Sequence, residues 1–254
     1  TLFPYTTLFR STDVVARTGN ITATGAGAIS AGRSVAALAG KVDTTNAGIL
    51  RANRLHSQTG VIIGAAGANV TGATAVATGG FLAIAGTHAT TFGDITVNAG
   101  DFYVRDTKFV ADDVIVTDGE VRIITETAGR NVSLGRLTTV AADKDVILSP
   151  GADTTFKILG ETTVAGNLNI AGARSKPVFE GDVTVGAGGN GKNLTVGLAG
   201  AEFQGNLTSL ANAADPARNY EVQIPADTVI EFTGTGRTIY APIVGADNQA
   251  GFSI

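Results

Sequence analysis

No cysteine, methionine or tryptophan occurs among the 254 residues of this chain, and charged residues make up only 16% of it. Each scarcity removes a class of chemistry. Without cysteine there are no disulfides and no thiolate metal sites. That state fits the cytosol, and fits equally a surface protein that crosses membranes without disulfide-locked structure. The two histidines, His56 and His88, stand far apart, so no H-x-x-x-H metal pair is present and neither has a visible nucleophile beside it. The 18 Lys and Arg are scattered among 22 Asp and Glu, for a net charge of −4. This offers no basic stripe to phosphates, so nucleic acid is not an expected partner. With no methionine in the chain, the native start is expected upstream of residue 1.

What is abundant is small or β-branched: 34 Gly, 39 Ala and 34 Thr within a 44% hydrophobic composition. Such side chains suit closely stacked strands and furnish a cofactor pocket poorly, so no small-molecule cofactor is expected. Ten times between Asn20 and Asn206 the chain writes Asn or Asp followed by a short alternation of apolar and polar residues. Clear copies are Asp94-Ile95-Thr96-Val97, Asp113-Val114-Ile115-Val116, Asn131-Val132-Ser133-Leu134, Asp145-Val146-Ile147-Leu148, Asn167-Leu168-Asn169-Ile170, Asp182-Val183-Thr184-Val185 and Asn193-Leu194-Thr195-Val196. Looser copies begin at Asn20, Asn69 and Asn206. Period-two alternation places Ile95, Val97, Val114, Val116, Val132, Leu134, Val146, Leu148, Leu168, Ile170, Val183, Val185, Leu194 and Val196 on one buried face. The preceding Asn or Asp turns the chain into each strand.

The starts at Asp94, Asp113 and Asn131 are 19 and 18 residues apart, and Asp145 and Asn167 are 22 apart. Three short strands with their turns consume about 20 residues, and a period of that order announces a solenoid. The starts at Asn167, Asp182, Asn193 and Asn206 lie closer together, so there the motif marks more than one strand per coil. The expected fold is all-β, a parallel β-helix with irregular coils. Residues 55–93 contain no Asp, Glu, Lys or Arg, which would permit a membrane span by length. Repeated glycines and strand-length apolar runs read instead as uncharged stacked strands. Residues 209–218 suggest an excursion from the stack, with strands resuming near 221–224, 228–232 and 238–240.

Three motif arithmetics nearly accept residues 186–193, Gly-Ala-Gly-Gly-Asn-Gly-Lys-Asn. As a phosphate loop the segment has Asn193 where Ser or Thr would hold magnesium, and strand-like Leu194-Thr195-Val196 follows in place of a helix. The same missing helix counts against a dinucleotide fingerprint at Gly186, Gly188 and Gly191. A calcium-binding nonapeptide would need stacked copies, and this one occurs once. A turn between strands is the reading that survives. Five N-x-S/T sequons, at Asn20, Asn69, Asn131, Asn193 and Asn206, coincide with the strand-start motif and are read as strand punctuation before glycosylation sites. The best candidate for paired catalytic acids is Asp112-Asp113, with Asp94 one coil earlier and Arg105, Asp106 and Lys108 nearby. Strand neighbours point to opposite sides, which would leave only one of Asp112 and Asp113 facing any cleft. No catalytic, cofactor-binding or metal-binding residue is assigned, and the expectation is that the chain is not an enzyme.

Two resemblances add to this reading. Residues 1–11, TLFPYTTLFRS, are similar to the codon-by-codon translation of a widely used short-read sequencing adapter, which implies a non-native segment ahead of a β-helix over residues 12–254 of a longer protein. From Thr12 to about Leu210, serial phrases such as Gly19-Asn20-Ile21-Thr22-Ala23, Ala28-Ile29-Ser30-Ala31-Gly32, Gly93-Asp94-Ile95-Thr96-Val97 and Gly166-Asn167-Leu168-Asn169-Ile170-Ala171-Gly172 resemble the repeat region of filamentous haemagglutinin-like exoproteins. These adhesins are secreted by two-partner or autotransporter routes. The resemblance implies a right-handed parallel β-helix rod, secreted or on the cell surface at the outer membrane, that mediates adhesion or serves as a stalk. It implies as partners a glycan or protein on a host or neighbouring cell, and an outer-membrane transporter during export. The alternative is a carbohydrate-active β-helix enzyme, a polysaccharide lyase or glycoside hydrolase, marked by clustered acids on successive coils.

Overall fold

The computed structural model describes residues 9–24, 27–46, 48–84, 86, 88–172, 174–187 and 193–209, with residues 222–224, 229–233, 239–240, 243–245 and 251–253. Among them every regular element is a strand, and the strands pair in parallel as a β-helix with turns of about 21 residues. The chain divides into two compact units, Thr1–Gly119 and Glu120–Ile254.

In the first unit the opening turns are β1 (Phe9–Ala16) with β2 (Ile21–Thr24), and β3 (Ile29–Ala37) with β4 (Val42–Asn46). Next come β5 (Leu50–Ala52), β6 (Arg54–Ser57) and β7 (Val61–Ile63), then β8 (Ala68–Val70), β9 (Thr74–Val76) and β10 (Phe81–Ala83). A fifth turn holds β11 (Ala89–Phe92), β12 (Ile95–Val97) and β13 (Phe102–Arg105), and β14 (Lys108–Val116) opens the sixth. Each turn lays strands on three faces. β5, β8 and β11 stack on the first, β6, β9 and β12 on the second, and β2, β4, β7, β10 and β13 on the third. β1, β3 and β14 are long because each runs through the first corner and serves two faces.

The second unit repeats the plan. After β15 (Val121–Ile124) come β16 (Val132–Thr139) and β17 (Val146–Ser149), then β18 (Phe156–Ile158), β19 (Thr162–Val164) and β20 (Leu168–Ile170). The next turn is β21 (Pro177–Phe179), β22 (Val183–Val185) and β23 (Leu194–Val196), followed by β24 (Ala201–Phe203), β25 (Leu207–Ser209) and β26 (Val222–Ile224). β27 (Val229–Phe232), β28 (Ile239–Tyr240), β29 (Ile243–Gly245) and β30 (Gly251–Ser253) complete it. Strands stand where sequence patterning expected them to resume; of the expected excursion, residues 210–218 lie outside the described residues.

Most of these strands are three residues long, and in those whose side chains are all described the outer two are buried and the middle one faces out, which is the pleat applied to one short segment per face. All fourteen side chains expected inside are at most 1% exposed. The first turns are filled by aliphatics such as Val35, Leu50 and Leu55. Aromatics take over further along: Phe81 stacks on Phe102 at 5.1 Å and meets Phe92 edge-on at 5.1 Å. In the second unit Phe179, Phe203 and Phe232 stack at 5.1 and 5.5 Å. The uncharged residues 55–93 form β6 to β11, all strands, as expected.

Two features of the strand pairing bear on the sequence reading. β1 begins at Phe9, so Phe9, Arg10 and Ser11 of the adapter-like segment pair with Ile29, Ser30 and Ala31. The parallel ladder continues for as long as backbone is within reach, whatever the origin of the residues. The motif starts also belong to different faces: Asp94 and Asp113 precede second-face strands in register, whereas Asn131 opens the first-face part of β16. The step of 18 residues is therefore not a coil.

The structure also shows what the recurrent Asn and Asp do. Asn131 Oδ1 accepts the Thr155 N–H at 2.9 Å, Asn167 Oδ1 accepts the Asn193 N–H at 3.0 Å, and Asn20 Oδ1 accepts the Lys41 N–H at 2.9 Å. Asn167 Nδ2 in turn donates to Asp145 Oδ1 at 2.8 Å, and Asn206 donates through its backbone N and Nδ2 to Asp182 Oδ1 at 2.8 and 3.0 Å. Asn20, Asn131, Asn167 and Asp182 thus each satisfy a corner amide of the next turn, where strand pairing has stopped. Truncating Asn167 to Ala is expected to lower unfolding free energy by about 1–3 kcal/mol, because it strands one partly buried N–H and removes a second bond. Asn169→Ala, at the outward position of β20, should change it by less than about 0.5 kcal/mol. Urea denaturation of both variants checks this, and equal effects would refute the ladder.

Candidate functional site

Asp112 and Asp113 do not point to opposite sides as expected. Ala111 and Val114 are buried on either side of them, while Asp112 is exposed and Asp113 half-buried. The pair sits at the first corner, where β14 bends from one face to the next and the alternation slips by one residue. Both carboxylates therefore look outward. Asp94 Oδ1, one turn earlier, accepts the Asp113 N–H at 3.3 Å, so at least one oxygen of this acid group serves the ladder.

The glycine-rich segment is bounded by strands on both sides, as its sequence context expected. Gly186, with φ of 79°, closes the strand β22, and Asn193 leads into β23 with no helix following. Residues 188–192 lie outside the described residues. Of the sequons, Asn20, Asn131, Asn193 and Asn206 take part in corner ladders through side chain or backbone. Asn69 is instead the exposed middle residue of β8, not a strand start. His56 lies outward on β6 and His88 is exposed before β11. Among the described residues no group of three or more His, Asp or Glu is arranged to hold a metal ion.

Sequence reasoning missed a polar cluster that spans three turns. On the first face of the second unit the outward residues Lys157, Val178, Glu202 and Glu231 fall in register on β18, β21, β24 and β27. Parallel register sets Glu202 and Glu231 about 4.8 Å apart along the stack, close enough for like charges to repel. Lys176, just ahead of β21, resolves the repulsion: its Nζ contacts Glu231 and lies 3.5 Å from Glu202 Oε2. Lys157 pairs with Glu180 at 2.8 Å. Glu202 Oε1 also accepts bonds from Gln204 Nε2 and Thr233 Oγ1, each at 2.9 Å.

The Gln204 bond, helped by Thr233 and Lys176, holds the Glu202 carboxyl below the usual carboxylate range against the opposing effect of burial. Burial likewise pulls Lys176 down, yet Glu231 and Glu202 outweigh it and keep the ammonium above its ordinary value. The arrangement is a charge clasp across three successive turns, with Glu202 held ionised. A pair of carboxyls doing glycoside chemistry needs one of them protonated. The sign for stability follows from the lowered Glu202 pKa: its contribution is present above the unfolded value near ~4.3 and is lost as pH falls through the lower folded value. Unfolding free energy of the wild type should therefore drop on acidification below about pH 4.3 more than that of Glu202→Gln. Identical acid profiles would mean the clasp is not formed in solution.

No protein-family model, curated protein or solved structure matches this chain. The fold alone therefore defines its class, a parallel β-helix repeat protein.

Proposed function

We propose that the chain is a structural or adhesive β-helix segment of a bacterial secreted or cell-surface exoprotein, exported through an outer-membrane transporter and binding a glycan or protein on another cell. The observation that carries this reading is where the polar side chains go: Asn20, Asn131, Asn167, Asp182 and Lys176 each tie one turn to another. Polar groups invested between turns leave a patterned outer surface, which suits recognition by many weak contacts. The test is capture of purified chain on a glycan array and on intact cells. Saturable binding, lost on heat unfolding, is the expected result, and no binding to either would refute adhesion.

One observation favours a second reading, a carbohydrate-active enzyme: Glu202 and Glu231 are paired acids on successive turns. Turnover of a polysaccharide panel, abolished by Glu231→Gln with the fold intact, would establish it. The clasp by Lys176 makes a purely structural role the favoured one.

A further inference from the structure

The first corner of the first unit carries a charge pattern that is legible only once the turns are stacked. Register aligns Ser34, Arg54, Ala73, Asp94 and Asp113, each one residue ahead of an in-register core position, across five successive turns. Beside that column runs a second, Arg33, Asn53, Gly72, Gly93 and Asp112. The Asn53 N–H donates to Arg33 O at 3.1 Å, the Gly72 N–H to Asn53 O at 2.7 Å, and the Asp112 N–H to Gly93 O at 3.2 Å. Arg33 and Arg54 thus stand on the second and third turns, joined by Arg51 on the neighbouring face, and all three are exposed. The fourth turn offers only Thr71, Gly72 and Ala73. Asp94 and Asp112 stand exposed on the fifth and sixth, with Asp113 beside them.

Over the second to sixth turns, basic, neutral and acidic stretches are therefore arranged symmetrically about the fourth, with Asp13 in register ahead of Ser34 on the first turn. Arg33, Arg51 and Arg54 form no ion pair among the described residues. Residues 55–93 carry no Lys, Arg, Asp or Glu to blur the pattern. A ridge of this kind is complementary to itself when reversed. A two-fold axis through the Gly72 corner places the third turn of one copy against the fifth of the other and the second against the sixth. The small side chains at the axis permit close approach, and Val110 and Ile115, exposed at 42% and 39% on either side of Asp112, supply apolar flanks.

We propose that the chain self-associates through this ridge as an antiparallel, side-by-side pair, with Arg33 and Arg54 of each copy against Asp112 and Asp94 of the other. An isologous contact of this kind closes on itself and stops at two. Exposed ion pairs are individually weak and screened by salt, so the pair is concentration-dependent and salt-sensitive.

The test is sedimentation velocity with the full chain and two charge-reversal variants, Arg33→Glu/Arg54→Glu and Asp94→Arg/Asp112→Arg. The wild type should show a dimer at about 20 mM salt that dissociates at about 500 mM, where the Debye length falls to roughly 4 Å. Each variant alone should remain monomeric, because like charges then meet at both ends. An equimolar mixture should restore the dimer at low salt, since positions 33, 54, 94 and 112 are then all acidic on one ridge and all basic on the other. Restoration also shows that both variants fold. A wild type that stays monomeric at low salt, a dimer indifferent to the reversals, or a mixture that fails to associate would each overturn the proposal. So would a wild-type monomer that uses the arginines to bind a sulfated polysaccharide instead.

Discussion

Replacing Val97 by Asp should destabilise the first unit by about 3–5 kcal/mol, whereas Thr96→Asp one residue earlier should change stability by less than about 1 kcal/mol. Val97 is fully buried and stacks in register between Val76 and Val116. A carboxylate there has apolar neighbours above, below and across the interior, with no cation to compensate its desolvation. Thr96 belongs to the same three-residue strand but faces outward, half in solvent. Burial would raise the new carboxyl's pKa in the folded state. The unfolded chain then ionises more readily than the folded one, so the penalty should grow as pH rises through the unfolded value near ~3.9 and shrink in acid. Chemical denaturation of both variants at two pH values checks the whole argument. Comparable losses at positions 96 and 97 would mean that the in-out register of β12 is wrong.

The second large effect is expected at a corner rather than in the core. An added Cβ at Gly79 would stand 1.8 Å from the Thr59 carbonyl oxygen and 2.3 Å from its carbon. Both are backbone atoms of the preceding turn, so no side-chain rotation relieves the overlap. The turns on either side are tied at this corner: the Thr78 N–H donates to Gln58 O at 2.8 Å, and the Ala77 N–H to Ser57 O at 3.0 Å. Gly79→Ala must push turns apart and weaken those bonds, with an expected loss of about 3 kcal/mol or more. Gly19 is the control. Its added Cβ meets nothing within 4 Å, but its φ of 84° lies in the left-handed region, so alanine there carries only backbone strain of about 1–2 kcal/mol. Thermal unfolding distinguishes the two, and a Gly79→Ala chain as stable as Gly19→Ala would refute close stacking at this corner.

Much of the local structure was written in single residues. Alternation such as Val183-Thr184-Val185 sets strand and inward face together, because the pleat has a period of two and water is excluded from one side. Glycine and asparagine mark where strands end, since small or turn-forming residues are needed wherever backbones of successive turns approach. From these features the fold class and all fourteen core positions followed. What the chain by itself left open was which corner belongs to which face. Asp94, Asp113 and Asn131 look alike in sequence, and only the register of β12, β14 and β16 separates second-face starts from a first-face one. The opposed orientation expected for Asp112 and Asp113 failed for the same reason: a corner interrupts alternation, and corners are set by the turn above and below. Glu202, Glu231 and Lys176 are brought together across as many as 55 residues, a separation that no local periodicity spans. The reversed charges of the first corner likewise need the stack to become a ridge. Short-range periodicity acts within a strand, whereas neighbours in a solenoid are one variable turn away, so the buried side of each strand was legible in the sequence and sites only in the folded chain.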